Sequence, residues 1–412
     1  NHLDKIMTSL VKSSSSRIIS ALSRDAILEL IIRNVDYNVL NWGKKLVDMD
    51  GLENLLDIAS ELEDIKYESS MNITSNTRTH ISLALDRAYF CMDNDIMREN
   101  FREKVMEFIN NKLKGADIED KVRATATITA LLQGPIEIGN NCLGQQGVIE
   151  MMLVMAGSDD EVQQRVAAEA IIAAANKKDK CQSLASMGGN ILKNLYKSNN
   201  ESIKVRALVG LCKLGSFGGT DASVRPFPED AYPKLTAACR KFLVDPSKDK
   251  DLKKWAAEGL AYLTLDADIK EELIADTKAL SALIQLAQSG DLSVLYGVVT
   301  TFVNLTNSYE KQEVLPEMIE LAKFAKQHIP EEHPKDDKKY IDERCKVLCQ
   351  MEVITALVAL SKTESKTSRE MISRVFNSIC ENKELRGTVV QQGGAKALIK
   401  LALEGNTDKG KK

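Results

Sequence analysis

The chain has 412 residues, of which 44% are hydrophobic and only 5% aromatic, and its formal net charge is −4. That charge gives no electrostatic reason to expect binding to nucleic acid or to an anionic membrane surface. No stretch approaches the roughly 20 apolar residues that a membrane-spanning helix needs. The eight cysteines stand singly among apolar residues, a usage typical of reduced thiols in a cytoplasmic protein.

The first part of the chain, residues 1–115, carries apolar side chains at three- and four-residue spacing, which predicts amphipathic helices. The segments with this spacing are 26–35, 51–64, 80–92 and 99–113. They follow one another irregularly. We therefore predict degenerate helical repeats here, at the start of a central domain.

From about residue 120 a pair of apolar residues, three positions apart, recurs at intervals of 41 to 49 residues. These anchor pairs are Ile128/Leu131, Ala170/Ala173, Leu211/Leu214, Leu260/Leu263, Phe302/Leu305 and, after a longer interval, Phe376/Ile379. Glycine-containing turns are predicted at 145–147, 187–189 and 391–394, each followed by a short helix. A helical unit of about 42 residues is typical of armadillo and HEAT repeats, so the sequence predicts an all-α, right-handed solenoid.

Two departures from the repeat suggest domain boundaries. Residues 215–232 are rich in glycine and proline and predict a surface loop, and residues 315–329 predict an extra helix followed by a charged connector at 330–340. We therefore predict regular armadillo repeats at 116–220 and repeats with an insertion loop and connector, forming a neck-like region, at 221–340. Residues 341–412 begin a further domain.

The concave face of a solenoid is its usual working surface, and the long helix of each repeat lines it. The outward positions lie one residue before the second anchor and four residues earlier. They are Ala126, Ala130, Val209, Lys213, Glu258, Tyr262, Thr300, Asn304, Arg374 and Ser378. The candidate protein-binding groove consists of Lys213, Glu258, Tyr262, Thr300, Asn304 and Arg374. The less specific interpretation is that Tyr262 packs on a neighbouring helix and that Asn304 bonds to a turn.

Nuclear import adaptors line this face with tryptophan and asparagine, but Asn304 is the only asparagine at these positions and Trp255 lies outside them. Import-adaptor function is therefore not expected.

No motif predicts catalysis or cofactor binding. The four histidines lie in unrelated contexts, and the glycines match neither a Walker nor a dinucleotide-binding spacing. One metal-ligand combination deserved consideration, namely His328, His333, Cys345 and Cys349. Its spacing lacks a second matched cysteine pair, so buried thiols beside a flexible connector are the favoured interpretation and no metal is predicted.

Four long segments carry a resemblance to a known family. They are EGLAYLTLDADIKEELI (258–274), NLTNSYEKQE (304–313), ELAKFAKQHIPEEHPKD (320–336) and RGTVVQQGGAKALIKLALEGN (386–406). In this order they resemble the animal UCS-domain myosin chaperones, the uncoordinated-type proteins of muscle and cytoplasm. Residues 1–250 fit the central armadillo region of that family by order and repeat pattern. Residues 341–412 would then be the first repeats of a truncated UCS domain.

The resemblance implies a non-catalytic armadillo scaffold that helps to fold, hold and assemble the myosin motor domain. Its further implied partners are heat-shock chaperones of the 90-kDa and 70-kDa classes, bound through an N-terminal tetratricopeptide domain that this sequence would lack. The implied location is the cytoplasm, with sarcomere association in muscle. The alternative is a generic armadillo adaptor that links stable partners by binding one linear motif.

Overall fold

The structure is a computed structural model that describes residues 2–35, 37, 40–62, 67, 71–216, 225–308 and 333–403. Every regular element in these ranges is a helix, so the predicted all-α fold is confirmed. The chain divides into two units, residues 1–210 and 211–412. The four domains predicted from the sequence, 1–115, 116–220, 221–340 and 341–412, stay predictions.

The first unit is built from helices α1 to α11 and most of α12. Their bounds are α1 (His2–Ser14), α2 (Ala21–Asn34), α3 (Trp42–Asp48), α4 (Gly51–Ala59), α5 (Thr77–Phe90), α6 (Asp95–Lys114), α7 (Ile118–Gln133), α8 (Ile136–Leu143), α9 (Val148–Ala156), α10 (Glu161–Ala174), α11 (Lys178–Leu195) and α12 (Glu201–Gly215). Short polar residues start several of them. For example, the Asp160 carboxylate accepts hydrogen bonds from the backbone N–H groups of Val162 and Gln163 at the start of α10.

Within its described residues, the second unit contains the end of α12 and ten further helices. Their bounds are α13 (Ala231–Val244), α14 (Lys250–Leu263), α15 (Ala267–Ile274), α16 (Thr277–Gln288), α17 (Leu295–Thr306), α18 (Lys338–Gln350), α19 (Val353–Leu360), α20 (Lys366–Glu381), α21 (Arg386–Gln391) and α22 (Gly394–Leu403). In the same described ranges, short 3₁₀ turns lie at Leu292–Val294, Pro334–Asp336 and Lys383–Leu385.

The predicted repeat register is confirmed by burial. Every residue of the six anchor pairs is at most 8% exposed. Helix α14 packs against α13 and α17, and α17 packs against α20, so the long helices of successive repeats are neighbours. The contact between α14 and α17 is close because Gly297 has no side chain. A Cβ atom there would lie 2.7 Å from the backbone nitrogen of Glu258.

Two of the three predicted glycine turns are confirmed, and one is wrong. Gly147 and Gly393 take left-handed conformations, with φ of 83° and 84°, immediately before α9 and α22. Gly188 and Gly189 instead lie inside α11, which runs unbroken for 18 residues. The physical reason is that glycine permits a turn without requiring one. At Gly188 its missing side chain leaves space for Leu153, whose Cδ2 would be 3.1 Å from an added Cβ.

The two insertions are only partly described. Residues 217–224 of the predicted loop, and the predicted extra helix at 315–329, lie outside the described residues. The connector was predicted to end at residue 340, but helix α18 already begins at Lys338. Beside the loop, buried Tyr232 donates a 2.9 Å hydrogen bond to the carbonyl of Gly215.

Candidate protein-binding surface

Helix α17 presents one polar stripe on an otherwise buried helix. Tyr296, Thr300 and Asn304 are its three residues that are not buried, and they recur every fourth position. Residues four apart lie on the same face of an α-helix, so these three side chains share one face. The hydroxyl oxygen of Thr300, between the other two, has no hydrogen-bond partner.

An aromatic cluster lies at the Tyr296 end of this stripe. The rings of Tyr296 and Tyr262 have centroids 6.0 Å apart. The ammonium of Lys213 lies 5.1 Å from the centre of the Tyr262 ring, a cation–π geometry. The Tyr262 hydroxyl donates to the Glu258 carboxylate at 3.0 Å. Burial, reinforced by the charge of Glu258, raises the pKa of Tyr262, so its phenol stays protonated and remains a donor.

The other end of the stripe is polar and basic. Asn304 donates from Nδ2 to the carbonyl of Ala261 at 2.8 Å and to the Thr264 hydroxyl at 3.1 Å, both at the C-terminal end of α14. Beside Asn304 is a cavity of about 170 Å³. Its lining residues are Leu265, Lys270, Val303, Asn304, Asn307, Ser308 and Arg374. We call this the Asn304 cavity.

A buried network of charges supports the Asn304 cavity from behind. The Lys270 ammonium, only 1% exposed, donates to Asp336 at 2.7 Å and to the carbonyl of Asn307 at 3.2 Å. The equally buried Arg344 guanidinium donates to Glu271 at 2.7 Å and to the carbonyl of Leu305, near the end of α17, at 2.7 Å. Burial lowers the pKa of Lys270, and the hydrogen bond to Asp336 opposes that shift.

The structure brings the six predicted groove residues onto four helices of the second unit. Lys213 contacts Tyr262, and Tyr262 contacts Glu258. Thr300 and Asn304 share a face of α17, and the Asn304 cavity joins Asn304 to Arg374 of α20. Tyr262 is only 7% exposed and packs on a neighbouring helix, while Asn304 bonds to the end of α14. These two contacts match the less specific interpretation of the sequence, in which Tyr262 packs on a neighbouring helix and Asn304 bonds to a turn. A role of either residue in binding stays a prediction.

Three of the other outward positions were wrongly predicted. Ala126, Ala130 and Val209 are at most 1% exposed. Their side chains are short and end within the layer of neighbouring side chains, whereas long side chains such as those of Lys213 and Arg374 reach beyond that layer. The half-buried Ser378 hydroxyl donates to the Asn307 side chain at 3.0 Å.

Sequence reasoning missed Tyr296 and Lys270. Tyr296 lies one helical turn before Thr300, so extending the register by four residues would have found it. Lys270 carried no such signal, because its partner Asp336 is 66 residues away in the sequence.

The metal-ligand combination considered from the sequence finds no support. His328 lies outside the described residues, and within the described ranges no group of three or more histidine, cysteine or acidic side chains is placed to hold a metal ion. The Nε2 atom of His333 lies 3.5 Å from the Oδ2 atom of Asp268. Burial raises the pKa of Cys345 to about 12 and that of Cys349 to about 11. The eight cysteines, all within the described ranges, are thiols and not disulfides, and six of them are buried. In the same ranges no helix is both long and apolar enough to cross a membrane.

Comparison with known proteins decides the family. The model described as UNC45-central, "Myosin-binding striated muscle assembly central", matches residues 25–253. The chain belongs to the UNC-45 family. Among the curated relatives, Protein unc-45 homolog B of Xenopus tropicalis is 43% identical over 98% of the chain and 44% of its own length. The human protein of the same name is 43% identical over 99% of the chain and 45% of its length.

Solved UNC-45 structures also resemble the chain along almost its whole length. UNC-45 from Drosophila melanogaster is 56% identical, with a TM-score of 0.88 over the whole chain and 52% of that structure. The myosin chaperone UNC-45 from C. elegans in complex with an Hsp90 peptide is 31% identical, with a TM-score of 0.83 over 98% of the chain and 43% of that structure. The chain therefore spans about half the length of the UNC-45 proteins that it matches.

Proposed function

We propose that this chain is the scaffold and client-binding part of a myosin-directed co-chaperone. In this role it helps to fold, hold and assemble myosin motor domains without catalysing a chemical step. The client-binding groove is the surface formed by Lys213, Glu258, Tyr262, Thr300, Asn304 and Arg374, extended by Tyr296. One observation carries the proposal. The chain matches, over 98% of its length and with a TM-score of 0.82, a structure titled "Molecular features of the UNC-45 chaperone critical for binding and folding muscle myosin".

The proposed partners follow from the same relatives. UNC-45 from C. elegans has been solved in complex with an Hsp90 peptide and with an Hsp70 peptide. We propose that heat-shock chaperones of the 90-kDa and 70-kDa classes act with this chain through an N-terminal domain of the longer protein. The proposed location is the cytoplasm, with sarcomere association in muscle.

The groove has the properties that holding a partly folded client requires. It brings together the rings of Tyr262 and Tyr296, the amide of Asn304 and the basic side chains of Lys213 and Arg374. Such a surface can make many weak contacts with exposed apolar and polar groups of a client, and weak contacts allow release.

Light scattering by a heated myosin motor domain tests the proposal. The 412-residue chain should reduce the scattering in proportion to its concentration, and the double variant Tyr296→Ser, Arg374→Ser should reduce it less. The matched control is Val154→Ser, which removes a 74% exposed side chain from the first unit. Protection by the chain that is unchanged in the double variant would exclude this surface, and absence of any protection would refute the holding function.

The adaptor alternative makes the opposite prediction in the same experiment. A generic armadillo adaptor would give no protection, and it would bind one linear motif tightly on a peptide array.

A further inference from the structure

Helix α7 of the first unit is enclosed even on the side that the repeat register turns toward the groove. It packs between α5 and α10, and α4, α6 and α8 pack against it as well. The long helices line the concave side of a solenoid, so the other helices lie behind them and leave that side free. Ala126 and Ala130 face it by register, yet they are at most 1% exposed. Since an alanine side chain is a single methyl group, groups from other helices must cover these two positions.

An ion-pair chain centred on Glu169 of α10 connects the two helices that flank α7. Arg78 of α5 donates from Nη1 to the Glu169 carboxylate at 2.9 Å. Arg206, near the start of α12, donates from Nε to the other oxygen of the same carboxylate at 2.6 Å. Arg78 and Glu169 are 91 residues apart in the sequence, and α7 lies between their helices. A side-chain contact between two flanking helices crosses the helix between them, so this pair spans α7.

Further hydrogen bonds hold both guanidinium groups in place. Arg78 also donates from Nη2 to the carbonyl of Glu61 at 3.3 Å, and Arg206 donates from Nη1 to the hydroxyl of Ser202 at 2.6 Å. The Glu169 side chain is 12% exposed, so little water competes for its oxygens. Charge-assisted hydrogen bonds to a carboxylate are among the strongest in proteins. We call Arg78, Glu169 and Arg206 the Glu169 strap.

We propose that the Glu169 strap is a closed lid over the groove side of α7. While its three side chains are paired, the strap keeps solvent from Ala126 and Ala130, and a longer side chain at either position would have to displace it. When Glu169 loses its arginine partners, the strap opens and these positions become accessible, as the stripe of α17 already is. Opening can be measured without a client, so this device is independent of the proposed function.

Thiol labelling at position 126 tests the strap. The full chain carrying Ala126→Cys is treated with N-ethylmaleimide, and mass spectrometry of the proteolytic peptides gives the labelling rate at that position. A buried thiol reacts slowly, so we expect a low rate while the strap is closed. Adding Glu169→Gln should raise the rate about tenfold, an order of magnitude between the effects of breaking exposed and buried ion pairs.

Two controls separate opening of the strap from general loosening of the first unit. Glu29→Gln removes a carboxylate that pairs with Arg33 at 2.6 Å on the surface of the same unit, and it should leave the rate at position 126 unchanged. The native Cys142 is fully buried on α8 and should stay unreactive in every variant. Equal acceleration at position 126 and at Cys142 would show that the whole unit loosens, and it would overturn the lid.

Two other results would also overturn it. One is a rate at position 126 that is the same with Glu169→Gln as with Glu29→Gln. The other is fast labelling at position 126 while the strap residues are unaltered. If Glu169→Gln fails to fold, Arg78→Gln breaks only the link that crosses α7 and keeps the pair of Glu169 with Arg206. The lid then predicts faster labelling at position 126 with Arg78→Gln than without it, and an unchanged rate would contradict it.

Discussion

Helices α7 and α17 occupy equivalent places in the repeat pattern, one in each unit, yet they differ in what they leave accessible. In α7, every residue from 122 to 132 is buried, including Ala126 and Ala130 at the predicted outward positions. In α17 the stripe of Tyr296, Thr300 and Asn304 stays at least partly exposed. The same repeat register therefore yields an enclosed helix in the first unit and an accessible polar face in the second.

The difference lies in side-chain length. Threonine bonding does not separate the two helices, because Thr127 of α7 donates to the carbonyl of Arg123 at 3.0 Å and Thr301 of α17 donates to that of Gly297 at 2.7 Å. On the stripe of α17 the longer Asn304 side chain bonds across to the carbonyl of Ala261 at the end of α14 and stays partly exposed. The comparison teaches that the register fixes which face a residue is on, whereas residue size decides whether that face is open.

The largest expected effect concerns the charge network that supports the open face. Arg344→Met would leave Asp336 without one cation and the carbonyls of Leu305 and Lys335 without their donor. Breaking a buried ion pair in this way costs about 3–5 kcal/mol of unfolding free energy. Each unit contains one of the two tryptophans, Trp42 and Trp255, so denaturation in a Trp42→Phe background reports on the second unit.

The control for this prediction is Lys339→Met on the same helix, where the side chain is exposed. We expect a change within about 0.5 kcal/mol. A loss of stability for Arg344→Met no larger than that of the control would show that the network does not support the face.

The next effect concerns the close contact between α14 and α17. Gly297→Ala would place a Cβ atom 2.7 Å from the nitrogen of Glu258 and 2.9 Å from the carbonyl carbon of Ala257. Overpacking of this kind lowers the free energy of unfolding by about 1–3 kcal/mol. Trp255 fluorescence during denaturation measures this loss. The matched variant in the first unit is Gly189→Ala, inside α11 with no atom within 4 Å of an added Cβ. It should stabilise the protein by about 0.5–1 kcal/mol, and a loss at position 189 would contradict the packing described.

A smaller effect is expected at the aromatic cluster. Tyr262→Phe removes the hydrogen bond to Glu258 and keeps the ring, so we expect a loss of about 1 kcal/mol in unfolding free energy. Tyr37→Phe serves as the control because Tyr37 is 63% exposed. If Tyr262→Phe and Tyr37→Phe lower the free energy of unfolding by equally small amounts, the Tyr262–Glu258 bond does not contribute to the stability of the second unit.

The smallest expected effect is a dependence on acid. Burial of Asp276 opposes ionisation, but hydrogen bonds from the Ala279 and Lys278 backbones and from Arg240 outweigh it and lower the pKa of this carboxyl below 3.8. Its stabilising contribution is present above pH 3.8 and is lost as the pH falls through the lowered value. We therefore expect the unfolding free energy of the second unit to fall as the pH drops below 3.8, and to fall less in Asp276→Asn. The control is Asp93→Asn, which replaces an exposed carboxylate. If the unfolding free energy falls with pH as steeply in Asp276→Asn as in this control, the assignment to Asp276 is contradicted.

The sequence predicted the repeat because its signal is local and periodic. Anchors such as Leu260 and Phe302, 42 residues apart, recur at one structural position, and burial confirms them. The turn at Gly188–Gly189 was mispredicted because a glycine pair is compatible with both a turn and a helix.

The candidate surface was predictable only in part. Lys213, Glu258, Thr300, Asn304 and Arg374 follow from the register. Lys270 and Arg344 do not, because their partners Asp336 and Leu305 come from distant parts of the chain. Tertiary packing brings such groups together, and no local pattern records it.

The most direct test of the proposed client-binding surface is photo-cross-linking of the full chain to a partly unfolded myosin motor domain. Benzoylphenylalanine at position 296 would sit on the accessible stripe of α17, and at position 154 it would sit on a surface of the first unit that is more exposed still. The proposed surface predicts cross-links to the motor domain from position 296 and few from position 154. Cross-links from position 154 without any from position 296 would contradict it.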